Sequence, residues 1–412
     1  MEQSKILLVI GLVYPQPHTT AAGWRMQQIL QLFKEEQWEI HYWHTNSQDT
    51  SNELPEIDSS KLIEVNLSDV DNFLKELQPK IVLFDRFVAE EQFGWRVREN
   101  CPNAVTILDT EDLHFLREAR ATAYHKHQSL SNVDYHTPTM YREMASIHRC
   151  DVTLLISSFE MNLLMDEFSI PETQLLLLTF LWEAKECKKR TEFSERKNLI
   201  TIGNLKHEPN RALVKWIYQH WELFIKANPG VEMHVYGAYA DAAMLQLHQP
   251  KKGFYLKGAC DDLEETLSQY KIMLATVPFG AGLKGKIIDA LQHQIPVVTN
   301  SIGMEGMGAK EDWNNLIVES VEEAIELTKR LYFSEEEWNG SMKNYPKLLS
   351  YFAKEQWVKP FWQKLQPIIY DVWSHRKKHY RIGMMNQQNM QASRYLSKWI
   401  EEKNNKGNVS IS

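Results

Sequence analysis

FGAGLKGKIIDALQHQIPVVTN, residues Phe279–Asn300, sets three glycines and two lysines ahead of a short helical pattern and an apolar run. Gly280, Gly285 and Lys286 carry the G-x-x-x-x-G-K spacing of a Walker loop. Such a loop needs Ser or Thr next, whose hydroxyl holds magnesium on the phosphates, and here Ile287 follows. The stretch also comes after the fourth strand of its half of the chain, with no Walker B partner. Nucleotide hydrolysis, which would show itself as magnesium-dependent phosphate release from ATP, is therefore set aside. The physics of the loop remains. Glycines at 280, 282 and 285 let the main chain approach a ligand closely, and a helix beginning near Lys286 offers unpaired N–H groups and a positive dipole end. Lys284 and Lys286 supply about the charge that a diphosphate requires. The bland rival is a glycine turn with two solvated lysines. Against it stands the loop's place at the carboxyl edge of a parallel strand, where such sheets bind ligands.

Working outward, short apolar runs alternate with helical patterns along the whole chain, which predicts parallel sheets covered by helices. Strands are expected at Lys5–Val13, Glu39–Trp43, Lys80–Phe84, Ala104–Asp109 and Val152–Ile156, with Ser47–Ser60 as a surface loop. A charged stretch after Phe180, ending near Lys197, reads as a linker. The pattern then restarts: strands at Leu199–Gly203, Met233–Tyr236, Phe254–Leu256, Ile272–Val277, Pro296–Thr299 and Leu316–Val318, with helices between them, one at Ala240–His248. Aromatic and apolar residues from Tyr345 to His375 recur at helical spacing and predict a long terminal helix packed back on the lobes. The expected divisions are 1–190, 191–344 and 345–412.

The 412 residues suffice for two domains, each with its own core, and the composition is ordinary for a globular chain. A net charge of −8 means that an anionic ligand must be met by local cations, and nothing global suggests nucleic acid. Cys101, Cys150, Cys187 and Cys260 form no CxxC pair and read as free thiols of a reducing compartment. The start, KILLVIGLVYPQPHTTAAG, reads as a buried first strand and turn rather than a signal peptide. The basic run His375–Arg381 reads first as a solvated face and second as a contact for an acidic membrane surface.

Four segments resemble the retaining glycosyltransferases of the GT-B fold, in particular family 4, the glycosyl transferases group 1 type. PFGAGLKGKIIDALQHQIPVVTNSIGMEGM resembles that family's donor-site stretch. IGNLKHEPNRALVKWI is similar to the first strand and helix of its second lobe. LDTEDLHFLREAR and DVTLLISSFEMNLL resemble segments of its first lobe, and the order matches. The resemblance implies two doubly wound Rossmann-like domains facing a central cleft, with a C-terminal helical extension. It further implies a nucleotide-diphosphate sugar in the second lobe, a glycan, lipid-linked or protein-linked acceptor in the first, and hexosyl transfer with retention, without metal or other cofactor. In that account the departing phosphate helps to take the acceptor proton.

The family's two glutamates, seven residues apart, fall here on Ala281 and Asp289. The first would contact the donor sugar and is missing; the second is a shorter carboxylate able to accept from a ribose diol. The family's phosphate-binding cations in the Gly203 loop are also absent, with Pro209 where a lysine would be. Lys284 and Lys286 are expected to carry that charge, with Lys206 or Arg211. Donor-side candidates are thus Asn204, Lys206, Gly282, Leu283, Lys284, Gly285, Lys286, Asp289 and Glu305. On the acceptor side stand His18, Thr19, Gly23, Asp109 and His114. Asp112 and Lys286 are the catalytic candidates, Asp112 having a helix cap as its bland rival. Arg117 is expected to pair with these carboxylates, and Glu160 to stabilise its own helix.

The alternative is a relative that does not transfer: a sugar-nucleotide epimerase or a degenerate binding subunit. The expected setting is the cytoplasm, with peripheral contact at the inner membrane face.

Overall fold

The computed structural model describes residues 5–17, 20–46, 54–64, 69–130, 133–183, 191–313, 315–387 and Trp399. Two parallel sheets organise them. The first contains β1 (Ile6–Gly11), β2 (Glu39–His44), β3 (Ser59–Leu62), β4 (Ile81–Asp85), β5 (Val105–Asp109), β6 (Val152–Leu155) and β7 (Leu175–Leu177), in the order β3-β2-β1-β4-β5-β6-β7. The second contains β8 (Lys197–Ile202), β9 (Met233–Tyr236), β10 (Phe254–Gly258), β11 (Tyr270–Ala275) and β12 (Val297–Thr299), in the order β10-β9-β8-β11-β12. Each sheet reverses its strand order beside its first strand, between β1 and β4 and between β8 and β11. That reversal opens the crevice in which doubly wound sheets take their ligands.

The strands are continuous apolar runs because helices cover both faces. Alternation sorts the side chains of the first sheet. Leu8, Ile10, Val82, Phe84 and Leu108 enter one core, while Leu7, Val9, Ile81, Leu83, Val105 and Ile107 enter the other. The second sheet's core gathers Leu199, Ile200, Met233, Val235, Ile272, Leu274 and Val298 with the helix residues Leu213, Ile217 and Trp221.

The chain crosses between the domains twice at one place. Trp182 N–H donates to the Phe352 carbonyl at 2.7 Å, and Lys354 N–H donates to the Trp182 carbonyl at 3.1 Å. The helix Lys354–Tyr370 then returns to the first domain and buries Phe361, Trp362, Leu365 and Ile368. Phe33 meets the rings of Phe361 and Trp362 edge-on at 6.0 and 5.1 Å.

Several sequence expectations are corrected. The end of the expected loop Ser47–Ser60 belongs to the edge strand β3, while 47–53 lie outside the described residues. The strand β7 is additional. Leu316–Val318 is reduced to a bridge between Ile317 and Thr299, and the helix at Ala240–His248 to Ala242–Leu245. The expected terminal helix Tyr345–His375 is broken into Tyr345–Ser350, Lys354–Tyr370 and the start of Val372–Lys378, and a further helix, Tyr380–Asn386, follows beyond it. Residues 184–190 of the linker lie outside the described residues, as does Cys187.

Candidate active site between the domains

The glycine loop Gly280–Gly285 leaves the end of β11 and enters the helix Gly285–Gln292, which is pinned by buried Ile287, Ile288, Ala290 and Leu291. Its apolar side fixes the helix, so its amino end and the loop face the first domain. Gly282 has φ +64°, and a Cβ there would stand 2.9 Å from the Asp112 Cβ across the cleft. A Cβ on Gly306 would stand 2.3 Å from the Ser157 Oγ. The two domains therefore meet over glycines, which allow main chain to approach the opposite domain.

Lys286 Nζ donates to Asn210 Oδ1 at 2.7 Å, tying the glycine-loop helix to the start of the helix Glu208–Ala227. Burial, reinforced by Lys284, pushes its ammonium down to about 7. Lys284 is buried too. Its Nζ donates to the Gly282 carbonyl at 2.7 Å, so it braces its own loop, and burial lowers its pKa. Burial raises Asp289 to about 7 against the opposing effect of Lys286.

From the first domain, Asp112 pairs with Arg117 and lies 3.6 Å from His114 Nε2. Burial alone would raise Asp112, but Arg117 and His114 outweigh it and hold the carboxyl at about 2. Burial lowers His114 to about 4 despite Asp112. Burial and Arg117 also lower His207, which precedes the helix Glu208–Ala227 and feels Asp112 from the other side. Asp112, Arg117, His207 and Lys286 thus share one electrostatic neighbourhood, with charges from both domains.

Asp112 does not cap the helix His114–His125. That helix's first N–H groups are taken by buried glutamates: Leu113 N–H donates to Glu160 at 2.9 Å, and His114 and Phe115 donate to Glu143 at 3.2 and 2.9 Å. Glu160 does more than stabilise its own helix, because its Oε1 also accepts the Gly282 N–H at 2.9 Å. Burial and Asp112 raise Glu160 to about 7. Arg120 makes the second link, donating to the Gly280 carbonyl at 2.8 Å and to both Glu305 oxygens at 2.7 Å.

Among the other candidates, Asp109 is fully buried, its Oδ1 held by Arg25 at 2.8 Å, and so lies beneath the cleft floor. Gly23 is in the first turn of the helix Ala21–Glu35; a Cβ there would strike the Gln16 main chain at 2.4 Å. His18 and Thr19 lie outside the described residues; the Cβ of Ala21, the first residue of the helix Ala21–Glu35, stands 3.7 Å from where a Gly285 Cβ would be. Leu283 is buried. Asn204 Oδ1 accepts the Lys206 N–H at 2.9 Å, shaping the turn after β8. Lys206 lies 4.0 Å over the Tyr239 ring and Arg211 pairs with Asp241 at 2.7 Å, so neither cation joins Lys286.

Residues missed by sequence reasoning are Arg120, His207, Asn210 and, at the ends of β4 and β5, Asp85 and Arg86, which join Glu111, a residue marked by its place after a strand end. There Asp85, Arg86 and Glu111 lie close together, Arg86 and Glu111 with φ of +72° and +62°, a conformation costly for such residues. Burial raises Glu111, helped by Asp109, and raises Asp85 against Arg86. Backbone strain of this kind leaves no mark in the sequence.

Two doubly wound domains closed over a cleft of this kind define a GT-B protein. Residues 196–332, within the second domain, match the family described as glycosyl transferases group 1. No curated protein sequence matches the chain. Solved structures share the fold at low identity. A Staphylococcus aureus TarM mutant in complex with fondaparinux, alpha-GlcNAc-glycerol and UDP is 13% identical with a TM-score of 0.57, over 71% of this chain and 57% of that one. The chain therefore spans little more than half of that protein's length. The pneumococcal O-GlcNAc transferase GtfA, with UDP and GlcNAc, is 12% identical with a TM-score of 0.61, over 90% of this chain and 100% of that one. Anabaena HepE, with UDP and glucose, is 10% identical with a TM-score of 0.65, over 88% and 100%.

Proposed function

We propose that the protein transfers a sugar, with retention of anomeric configuration, from a nucleotide-diphosphate sugar on the second domain to a glycan, lipid-linked or protein-linked acceptor on the first, in the cytoplasm. The observation carrying this reading is the glycine loop and Lys286 at a helix start, set against Asp112 and Arg117 of the opposite domain. The donor diphosphate lies at the helix end, where N–H groups and Lys286 offset its charge without a metal ion and the neutral His207 ring offers a hydrogen bond. The bond from the anomeric carbon to the diphosphate oxygen breaks, and the acceptor oxygen bonds to that carbon on the same face. The acceptor proton passes to the departing phosphate oxygen. Asp112, ionised throughout the physiological range, accepts from an acceptor hydroxyl and orients it.

UDP-hexoses are the first donors to try, since UDP with GlcNAc or glucose accompanies the structural neighbours. A thermal-shift screen of UDP, GDP, ADP and CMP sugars finds the donor, because a ligand of the folded state raises the melting temperature. Incubation with the labelled donor then decides. Acceptor-dependent release of nucleoside diphosphate supports transfer. An interconverted donor identifies an epimerase, and binding without turnover identifies a degenerate subunit; either outcome overturns the proposal. The second reading has one observation in its favour: Ala281 packs against the first domain's apolar core and offers the cleft no carboxylate.

A further inference from the structure

We infer that the helices Val372–Lys378 and Tyr380–Asn386 form a docking face for an anionic lipid surface. From Val372 to Asn386 the chain carries four Lys and Arg and no Asp or Glu, in a protein of net charge −8. Tyr370, Trp373, Tyr380 and Met384 are 90%, 51%, 69% and 58% exposed, an unusual concentration of large apolar groups on one short segment. Trp373 and Lys377 lie one turn apart on the first helix. Tyr380 and Met384 lie one turn apart on the second, opposite its buried Ile382. Lys377 and Lys378 are exposed and enter no ion pair among the described residues.

Trp373, Lys377 and Tyr380 border a cavity of about 340 Å³ that Arg98, Arg149 and Ile382 also line. Arg98 and Arg149 share one carboxylate, Glu90, so cations outnumber anions around it. An acidic protein would answer the lysines but leave the exposed Trp, Tyr and Met unexplained, and single-stranded nucleic acid could stack on the rings but would leave Met384 unanswered and be repelled by a net charge of −8. A membrane answers both, with amphipathic rings at headgroup depth and ammonium groups against lipid phosphates. No described helix is long and apolar enough to cross a membrane, so this face lies on the surface. The cavity meets the sheet at Ala104 and Thr106, the amino edge of β5. The cleft lies past that strand's other end, roughly 15 Å away at the usual rise per residue, so docking leaves it open.

The test is co-sedimentation of the full chain with phosphatidylcholine vesicles with and without phosphatidylglycerol. Binding is expected only with phosphatidylglycerol, weakening as salt rises. It should fall at least about tenfold in Lys377→Glu with Lys378→Glu, and separately in Trp373→Ser with Tyr380→Ser. Melting temperatures equal to the parent's show that these surface variants fold, and two independent pairs guard against the failure of one. Absence of binding to phosphatidylglycerol vesicles overturns the inference, as does parent-like binding by both pairs. Equal affinity for polyglutamate or RNA, with the aromatic pair unaffected, would show a general polyanion site and overturn it too.

Discussion

Glu160 Oε1 accepts the N–H groups of Leu113 and Gly282, each at 2.9 Å, so one buried carboxylate of the first domain holds the glycine loop of the second. Its other oxygen is buried without a hydrogen-bond partner among the described residues. Burial and Asp112 raise the group from 4.5 to about 7. A raised folded pKa contributes stability that is complete below the unfolded value and lost as pH rises through the folded one. The parent should therefore lose up to about 3 kcal/mol relative to Glu160→Gln between roughly pH 4.5 and 7. Paired melting curves of the two proteins across that window check it; curves that stay parallel would remove Glu160 as the titrating link.

Lys286 gives a pH dependence of binding. Free, its ammonium titrates near 7; beside a diphosphate it is held protonated to higher pH, so binding above 7 must take up a proton. Affinity for a nucleoside diphosphate should fall as pH rises from about 7 to 9, by at most tenfold per unit. Lys286→Ala should bind at least about tenfold more weakly and show no such slope. Calorimetry in two buffers of different ionisation enthalpy reads the proton directly. A variant that matches the parent's affinity and slope would move the phosphate site elsewhere.

Gly282 separates binding from domain closure. Alanine there carries a Cβ only 2.9 Å from the Asp112 Cβ and 3.6 Å from the Ile156 Cγ2, at a φ of +64°. The backbone strain alone is about 1 kcal/mol. The clash acts only when the domains meet, so Gly282→Ala should keep nucleotide affinity within about tenfold while kcat falls about a hundredfold or more. Equal losses in both quantities would place Gly282 in the donor contact rather than at the domain seam.

How far these relations were legible beforehand differs by kind. Strands such as Ile81–Asp85 and Tyr270–Ala275 are buried on both faces, so their apolar runs stand out, and their alternation with helices implied parallel doubly wound sheets, while the GT-B arrangement came from the resemblance of four segments to that family. The edge strand Ser59–Leu62 has no such run because three of its four residues are exposed. The glycine loop was visible because glycine and lysine spacing is local. The bonds from Glu160 to Gly282 and from Arg120 to Glu305 join residues 122 and 185 apart, and no local pattern encodes them. Asp109 looked like a cleft residue from its place at a strand end, yet its partner Arg25 lies 84 residues earlier and draws it into the core.

Arg376 fastens the terminal helices to the first domain. Its guanidinium donates to both oxygens of fully buried Asp151 at 2.7 Å, to the Pro102 carbonyl at 2.6 Å and to the Ala104 carbonyl at 2.8 Å. Asp151 in turn accepts from the Thr106 N–H and hydroxyl, both at 2.9 Å, locking β5 to the approach of β6. Arg376→Ala leaves a buried carboxylate without its cation and should cost about 3 kcal/mol. Lysine restores the charge but not the planar fork that serves two oxygens and two carbonyls, so Arg376→Lys should recover only part of the loss. Hydrogen exchange over residues 372–386 should quicken in the alanine variant and the melting temperature should fall, with lysine between alanine and the parent. If alanine leaves both unchanged, the aromatic face of the helix Lys354–Tyr370 is sufficient to keep the extension in place.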